Sequence, residues 1–209
     1  MTERLTLSTH DGIHLDAELA PAAGGPRAGM VLCHPHPLHG GTKESLVISA
    51  LFGALPALGV TCLRFDFRGV GASKGTHDHG DAERYDARAA VDDLSDRLPD
   101  GVPLVLAGWS FGADVALSVH DAAVRGWFAV APPLRSAHAL DALEQDPRPK
   151  LIVLAEHDEV RDPRDVETEV GAWPATTVEV IRGASHFFVG RTDRLVDLAA
   201  GFVDALTAS

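Results

Sequence analysis

The chain has 209 residues, 45% of them hydrophobic and 23% charged, with a net charge of −12. That length suits a single domain over 1–209, burying about 70% of the surface its unfolded chain exposes, and the composition excludes extended disorder. The acidic surplus and the lack of a basic run argue against nucleic acid and against membrane surfaces as partners. The opening MTERLTLSTHDG has no apolar segment of the kind a secretion signal needs, and no apolar run reaches membrane-spanning length, so a cytoplasmic protein is expected. Cys33 and Cys62 lie in apolar runs and read as reduced core residues.

In chain order, LTLSTHDGIHLDAELA alternates apolar and polar residues around Asp11-Gly12, which predicts an antiparallel hairpin at one sheet edge. A Pro/Gly-rich connector leads to 30–33, a buried parallel strand, then HPHPLHGG and a helix over about 43–58. VTCLRFDF follows as a strand, then a glycine-rich loop, a helix over about 81–98 and a strand over 103–107. Beyond it, 127–131, 151–155 and 177–181 read as strands, and about 163–172 and 191–206 as helices. Strands alternating with helices imply right-handed crossovers and a mostly parallel sheet of about eight strands, covered by helices on both faces.

Two segments match G-x-S-x-G: Gly71-Ala72-Ser73-Lys74-Gly75 and Gly108-Trp109-Ser110-Phe111-Gly112. An elbow that exposes a nucleophilic serine needs a strand before it and a helix after it. Ser110 has both. Ser73 is separated from its strand by Arg68-Gly69-Val70-Gly71 and is followed by turn-like THDHGD, so it reads as a loop residue. A dinucleotide site in the same loop is rejected, since Lys74 stands where a third glycine belongs and no helix opens there. Asp66 and Arg68 flank this turn and are expected to bond its backbone.

The partners of an elbow serine follow in the order acid, then histidine. Of 11 histidines only His186 lies beyond Glu159, which makes it the candidate general base. LIVLAEHDEV offers Glu156, Asp158 and Glu159; Asp158 lies far enough past the strand end to turn back to His186, with Glu156 as the fallback. The expected chemistry is attack by Ser110 Oγ on a carbonyl, an acyl-enzyme, and its hydrolysis by water. One donor to the tetrahedral oxygen is expected to be the Phe111 N–H. Pro35 and Pro37 have no N–H, so the second should come from His36 or Leu38, with His36 favoured because it sits two residues past His34 at the strand end. The three histidines of HPHPLHGG also suggest a metal, but Leu38 occupies the place of the aspartate in H-x-H-x-D-H, so neither metal nor cofactor is expected.

HPHPLHGG, RFDFRGVGASKG, AGWSFGADVA, AEHDEV and ASHFF together resemble the small, cap-less bacterial α/β-hydrolases, close to dienelactone-hydrolase-like esterases, over nearly the whole chain. The resemblance implies an α/β-hydrolase fold with a Ser110, Asp158 and His186 triad and an oxyanion hole at His36 and Phe111. Ala155 stands where many members have glycine, and the cysteine nucleophile of true dienelactone hydrolases is missing. Many α/β-hydrolases insert a lid before the acid strand, but 132–150 has room only for a short helix around 137–144, so an open site is expected. Leu38, Trp109, Phe187 and Phe188 are candidates to line an apolar acyl pocket, or equally to be packing. The expected function is a serine carboxylesterase or thioesterase acting on a small ester or thioester. Acyl or peptide transfer by the same triad and a non-catalytic binding module are the alternatives.

Overall fold

The computed structural model describes residues 2–138 and 140–208. The strands are β1 (Glu3–Ser8), β2 (His14–Ala20), β3 (Ala28–Cys33), β4 (Val60–Phe65), β5 (Leu104–Trp109), β6 (Val124–Val130), β7 (Lys150–His157) and β8 (Thr176–Ser185). They form one sheet in the order β1-β2-β4-β3-β5-β6-β7-β8. β1 and β2 pair antiparallel, β2 joins β4 antiparallel, and every remaining pairing is parallel. This is the mostly parallel architecture the alternation predicts, with the Asp11-Gly12 hairpin at one edge.

The helices are α1 (Leu46–Ala54), α2 (Glu83–Arg97), α3 (Phe111–Leu117), α4 (Leu140–Leu143), α5 (Pro163–Val170) and α6 (Thr192–Thr207). Strand residues alternate between the faces, so Met30 and Leu32 pack in one core layer with α1 and α6, while Val31 and Cys33 pack in the other with α2, α3 and α5. Both cysteines are free and fully buried, and burial pushes their thiols up.

The helix expected over 43–58 is shorter than its pattern. Pro56 lacks the N–H an α-helix needs, and Leu55–Leu58 is a 3₁₀ turn closed by Gly59 at φ 82°. At the other end the Lys43 ammonium is drawn away to Asp16 and Asp66. β8 runs four residues past its expected end, to Ser185. Gly183 bends it at φ 66°, and a register shift opposite Ala155 and His157 absorbs the bend.

β3 lies between β4 and β5, so the chain winds outward to β4 and then returns across β3 to β5. Such a reversal leaves a crevice outside the carboxyl ends of the two central strands. β3, β5, β6, β7 and β8 run parallel, so the segments that leave them share that edge. Among the described residues, α4 is the one helix between β6 and β7, and no lid covers the edge.

Candidate active site

Ser110 stands between β5 and α3 with φ 56° and ψ −122°, a conformation costly for a residue with a side chain. Its neighbours explain how the turn can be so tight. A Cβ on Gly108 would lie 2.2 Å from Gly112 O, and one on Gly112 would lie 2.2 Å from Cys33 O. Backbone therefore passes where any side chain would be, and the Ser110 hydroxyl is thrown outward.

β8 delivers His186 to the same point. Its Nε2 is 2.9 Å from Ser110 Oγ, and its Nδ1 is 2.8 and 3.0 Å from the Asp158 carboxylate oxygens. The carboxylate requires Nδ1 to carry the proton, leaving Nε2 to accept from the hydroxyl. Asp158 is itself fixed by the N–H groups of Val160 and Arg161, at 2.9 and 3.3 Å. The His186 backbone is held at both ends: its N–H donates to Glu159 and its carbonyl accepts the Trp109 indole N–H at 3.1 Å. Glu156, the fallback acid, instead accepts the N–H of Gly183 at the bend in β8.

In the loop after β3, His34 is buried and both its ring nitrogens are engaged. Nδ1 donates to Pro35 O and Nε2 accepts the Phe67 N–H. Burial lowers this histidine to about 4, so it stays neutral and props the loop. The ring Nδ1 of His36 accepts the Leu38 N–H at 3.2 Å, which occupies one of the two donors weighed for this loop. Among the described residues, the backbone N–H groups of His36 and Phe111 meet no acceptor in the chain. The two side chains pack together, ring centroids 5.0 Å apart.

A cavity of about 720 Å³ opens over Ser110, with Leu46, Trp109, Pro133 and Phe187 among its apolar walls. Of the four residues for which lining and packing are equal expectations, Trp109 and Phe187 line the cavity, Phe188 packs in the core and Leu38 does neither. Leu38 projects outward from the turn Pro37–His39, 67% exposed, and Phe188 is fully buried beside α6. Successive residues of the turn after β8 point opposite ways, so of the Phe pair only Phe187 faces the cavity.

The glycine-rich loop is structural, by a different route from the one expected. Ser73 is buried, donating to Asp66 O and accepting the Asp16 N–H. The Asp66 carboxylate lies against Gly71 but holds the backbone N–H and ammonium of Lys43, and Arg68 pairs with Asp86 and Asp11, so among the described residues neither side chain bonds the backbone of the turn.

Asp114 escaped the sequence reading. It lies in α3 one turn below Ser110, fully buried, and accepts the N–H groups of Leu134, Arg135 and Ser136 at 2.8 to 2.9 Å. Burial pushes it up to about 6, against the pull of those three donors. An acidic residue in the otherwise apolar run FGADVAL was the available signal. The loop it holds carries Arg135 into the cavity, which depends on β6 lying next to β5 and so on sheet order.

The fold and this strand-end site define an α/β serine hydrolase without a lid. The chain belongs to the family described as serine aminopeptidase, S33, which it matches over residues 26–146, more than half its length. It is 32% identical over 182 residues to an uncharacterised protein of Rickettsia prowazekii (strain Madrid E), covering 82% of this chain and 76% of that protein. An α/β serine hydrolase homologue from Coxiella burnetii superposes with a TM-score of 0.85 at 34% identity, covering 96% of each chain. A lidless α/β serine hydrolase of Xanthomonas campestris superposes at 0.83 with 30% identity, covering 99% of this chain and 94% of that one.

Proposed function

We propose that the protein hydrolyses small carboxylic esters or thioesters through Ser110, His186 and Asp158. The observation that carries this reading is the continuous hydrogen-bonded chain from Ser110 Oγ through His186 to Asp158, at 2.9 and 2.8 Å, beside unpaired N–H groups. His186 Nε2 takes the hydroxyl proton as Oγ attacks the acyl carbon, and Asp158 stabilises the imidazolium. The Phe111 and His36 N–H groups hold the charge that develops on the carbonyl oxygen, each contributing on the order of 10²-fold or more. Collapse expels the alcohol or thiol, which takes the proton from His186. Water then enters, its oxygen adding to the acyl carbon as a proton passes to the same nitrogen; the bond to Ser110 Oγ breaks, the acid leaves and Oγ takes the proton back from His186. The open edge favours water over another acceptor, which supports hydrolysis rather than acyl transfer.

The family's description raises peptide hydrolysis as a second reading. An aminopeptidase must bind a substrate ammonium, and among the described residues that line this cavity there is no aspartate or glutamate. Ester chemistry is therefore the better fit.

The test is hydrolysis of p-nitrophenyl esters and thioesters of graded chain length. Ser110→Ala and His186→Ala should each lower kcat by at least about 10⁴-fold. A loss below about tenfold in either would contradict the assignment.

A further inference from the structure

The chain has 30 acidic and 18 basic residues, yet the cavity over Ser110 reverses that balance. Asp158 stands behind His186, and Arg135 is the one lysine or arginine among the described residues that line the cavity. No carboxylate pairs with its guanidinium among the described residues; Nη2 donates to Val160 O at 3.1 Å. A guanidinium has five N–H donors in a fork that matches a carboxylate, and this side chain lies exposed at the rim of the cavity, so most of its capacity is open to a ligand there.

The placement of Arg135 is built into the fold. Its N–H and those of Leu134 and Ser136 are held by buried Asp114, which follows Ser110 by four residues in α3. One rigid helical turn, rising about 6 Å, therefore sets the Arg135 backbone relative to the nucleophile. The sheet order puts this loop on the β6 side of Ser110, opposite the His36 loop on the β3 side. Arg135 can thus hold one end of a substrate whose carbonyl oxygen faces His36 and Phe111.

We propose that Arg135 makes the site selective for esters or thioesters that carry a carboxylate, with the guanidinium binding that group while Ser110 attacks the neutral acyl carbon. This rests on the reading of Ser110 as nucleophile. Arg135 is exposed in the empty cavity, and a substrate lying over Leu46, Trp109 and Phe187 displaces water from beside it, which reduces the screening of the charged contact. The guanidinium also offsets, locally, the repulsion that a net charge of −12 exerts on anions.

The experiment compares kcat/KM for two matched pairs. One is the p-nitrophenyl monoester of glutaric acid against p-nitrophenyl pentanoate, with the charge on the acyl side. The other is 4-acetoxybenzoate against phenyl acetate, with the charge on the leaving group. Arg135→Gln should lower the anionic-to-neutral ratio by about tenfold or more in at least one pair, the scale of a lost charge-assisted hydrogen bond. Arg135→Lys should recover part of it, and Arg135→Glu should lower it further. A ratio held within about threefold in both pairs overturns the assignment, because a solvated surface arginine gives that result. Failure of the underlying reading looks different: neither the anionic nor the neutral ester of either pair would then be cleaved by the wild-type protein, or both would still be cleaved by Ser110→Ala, and the role of Arg135 would fall with it.

Discussion

The imidazole of His186 has a partner at each ring nitrogen, and its backbone is tied on both sides by Glu159 and Trp109. A general base held this way loses little entropy at the moment of reaction. Trp109 is therefore a positioning residue as well as part of the cavity wall. Trp109→Phe keeps the ring but leaves the His186 carbonyl without its donor. On a small acetyl ester, kcat should fall by about tenfold with KM nearly unchanged, a loss of about 1.4 kcal/mol matching one hydrogen bond. Steady-state kinetics check this; an unchanged kcat would mean the indole contact does not orient the base. At the same scale Phe187 and Phe188 mark a limit of reading residues in sequence. They are chemically alike and adjacent, and only the turn geometry after β8 decides which faces the cavity and which enters the core.

At the scale of elements, the G-x-S-x-G pattern is a statement about backbone clearance. The crossing of α3 behind the loop after β3 leaves no room for a Cβ at residue 112, which would sit 2.2 to 2.5 Å from the Cys33 and His34 backbone. Gly112→Ala must push α3 away from the end of β3 or break the turn, which no side-chain movement relieves. We expect a loss of about 3 kcal/mol or more and a fall in Tm of about 6–12 °C, measured by thermal unfolding. A Tm within about 2 °C of wild type would contradict the clearance argument. Ser73 shares the motif but lacks the strand and helix, and that context was legible in the sequence. The order of strands and helices was legible too, because apolar runs and turn residues punctuate it clearly. Element lengths were less so, since Pro56 cuts α1 short and the bend at Gly183 hides the end of β8. Asp114 and Arg135 were missed because their meaning depends on β6 lying beside β5, which is a fact of topology and not of local pattern.

At the scale of the molecule, the buried carboxylates that anchor the site shape its response to pH. Asp114 is pushed up to about 6 by burial, against an ordinary value of 3.8. Between those values the folded chain binds a proton that the unfolded chain has released. The stability this group contributes is full below about pH 4 and is lost as pH rises through about 6, by about 3 kcal/mol at most. Asp86, pushed up to about 6 by burial, acts in the same direction, while Asp146, lowered to about 2 by Arg148, acts the opposite way at more acid pH. His34, lowered to about 4 by burial, gains stability over the same range as Asp114 and Asp86 lose it and opposes both, so the sign of the wild-type change is not the test. Asp114→Asn removes the Asp114 titration alone, and the Tm of the variant relative to wild type should rise between about pH 4 and 6. Equal changes in Tm in the two proteins would show that Asp114 does not titrate there.

The same carboxylate links the loop after β6 to the helix that follows Ser110, so the whole strand-end edge serves one hydroxyl. The most direct measurement of that claim is intact-mass spectrometry after exposure to a fluorophosphonate, which reacts with serines activated by a neighbouring base. Wild-type protein should gain the mass of one phosphonyl group at Ser110, and Ser110→Ala should gain none. Labelling that persists in Ser110→Ala, or a wild-type protein that never reacts, would contradict the account.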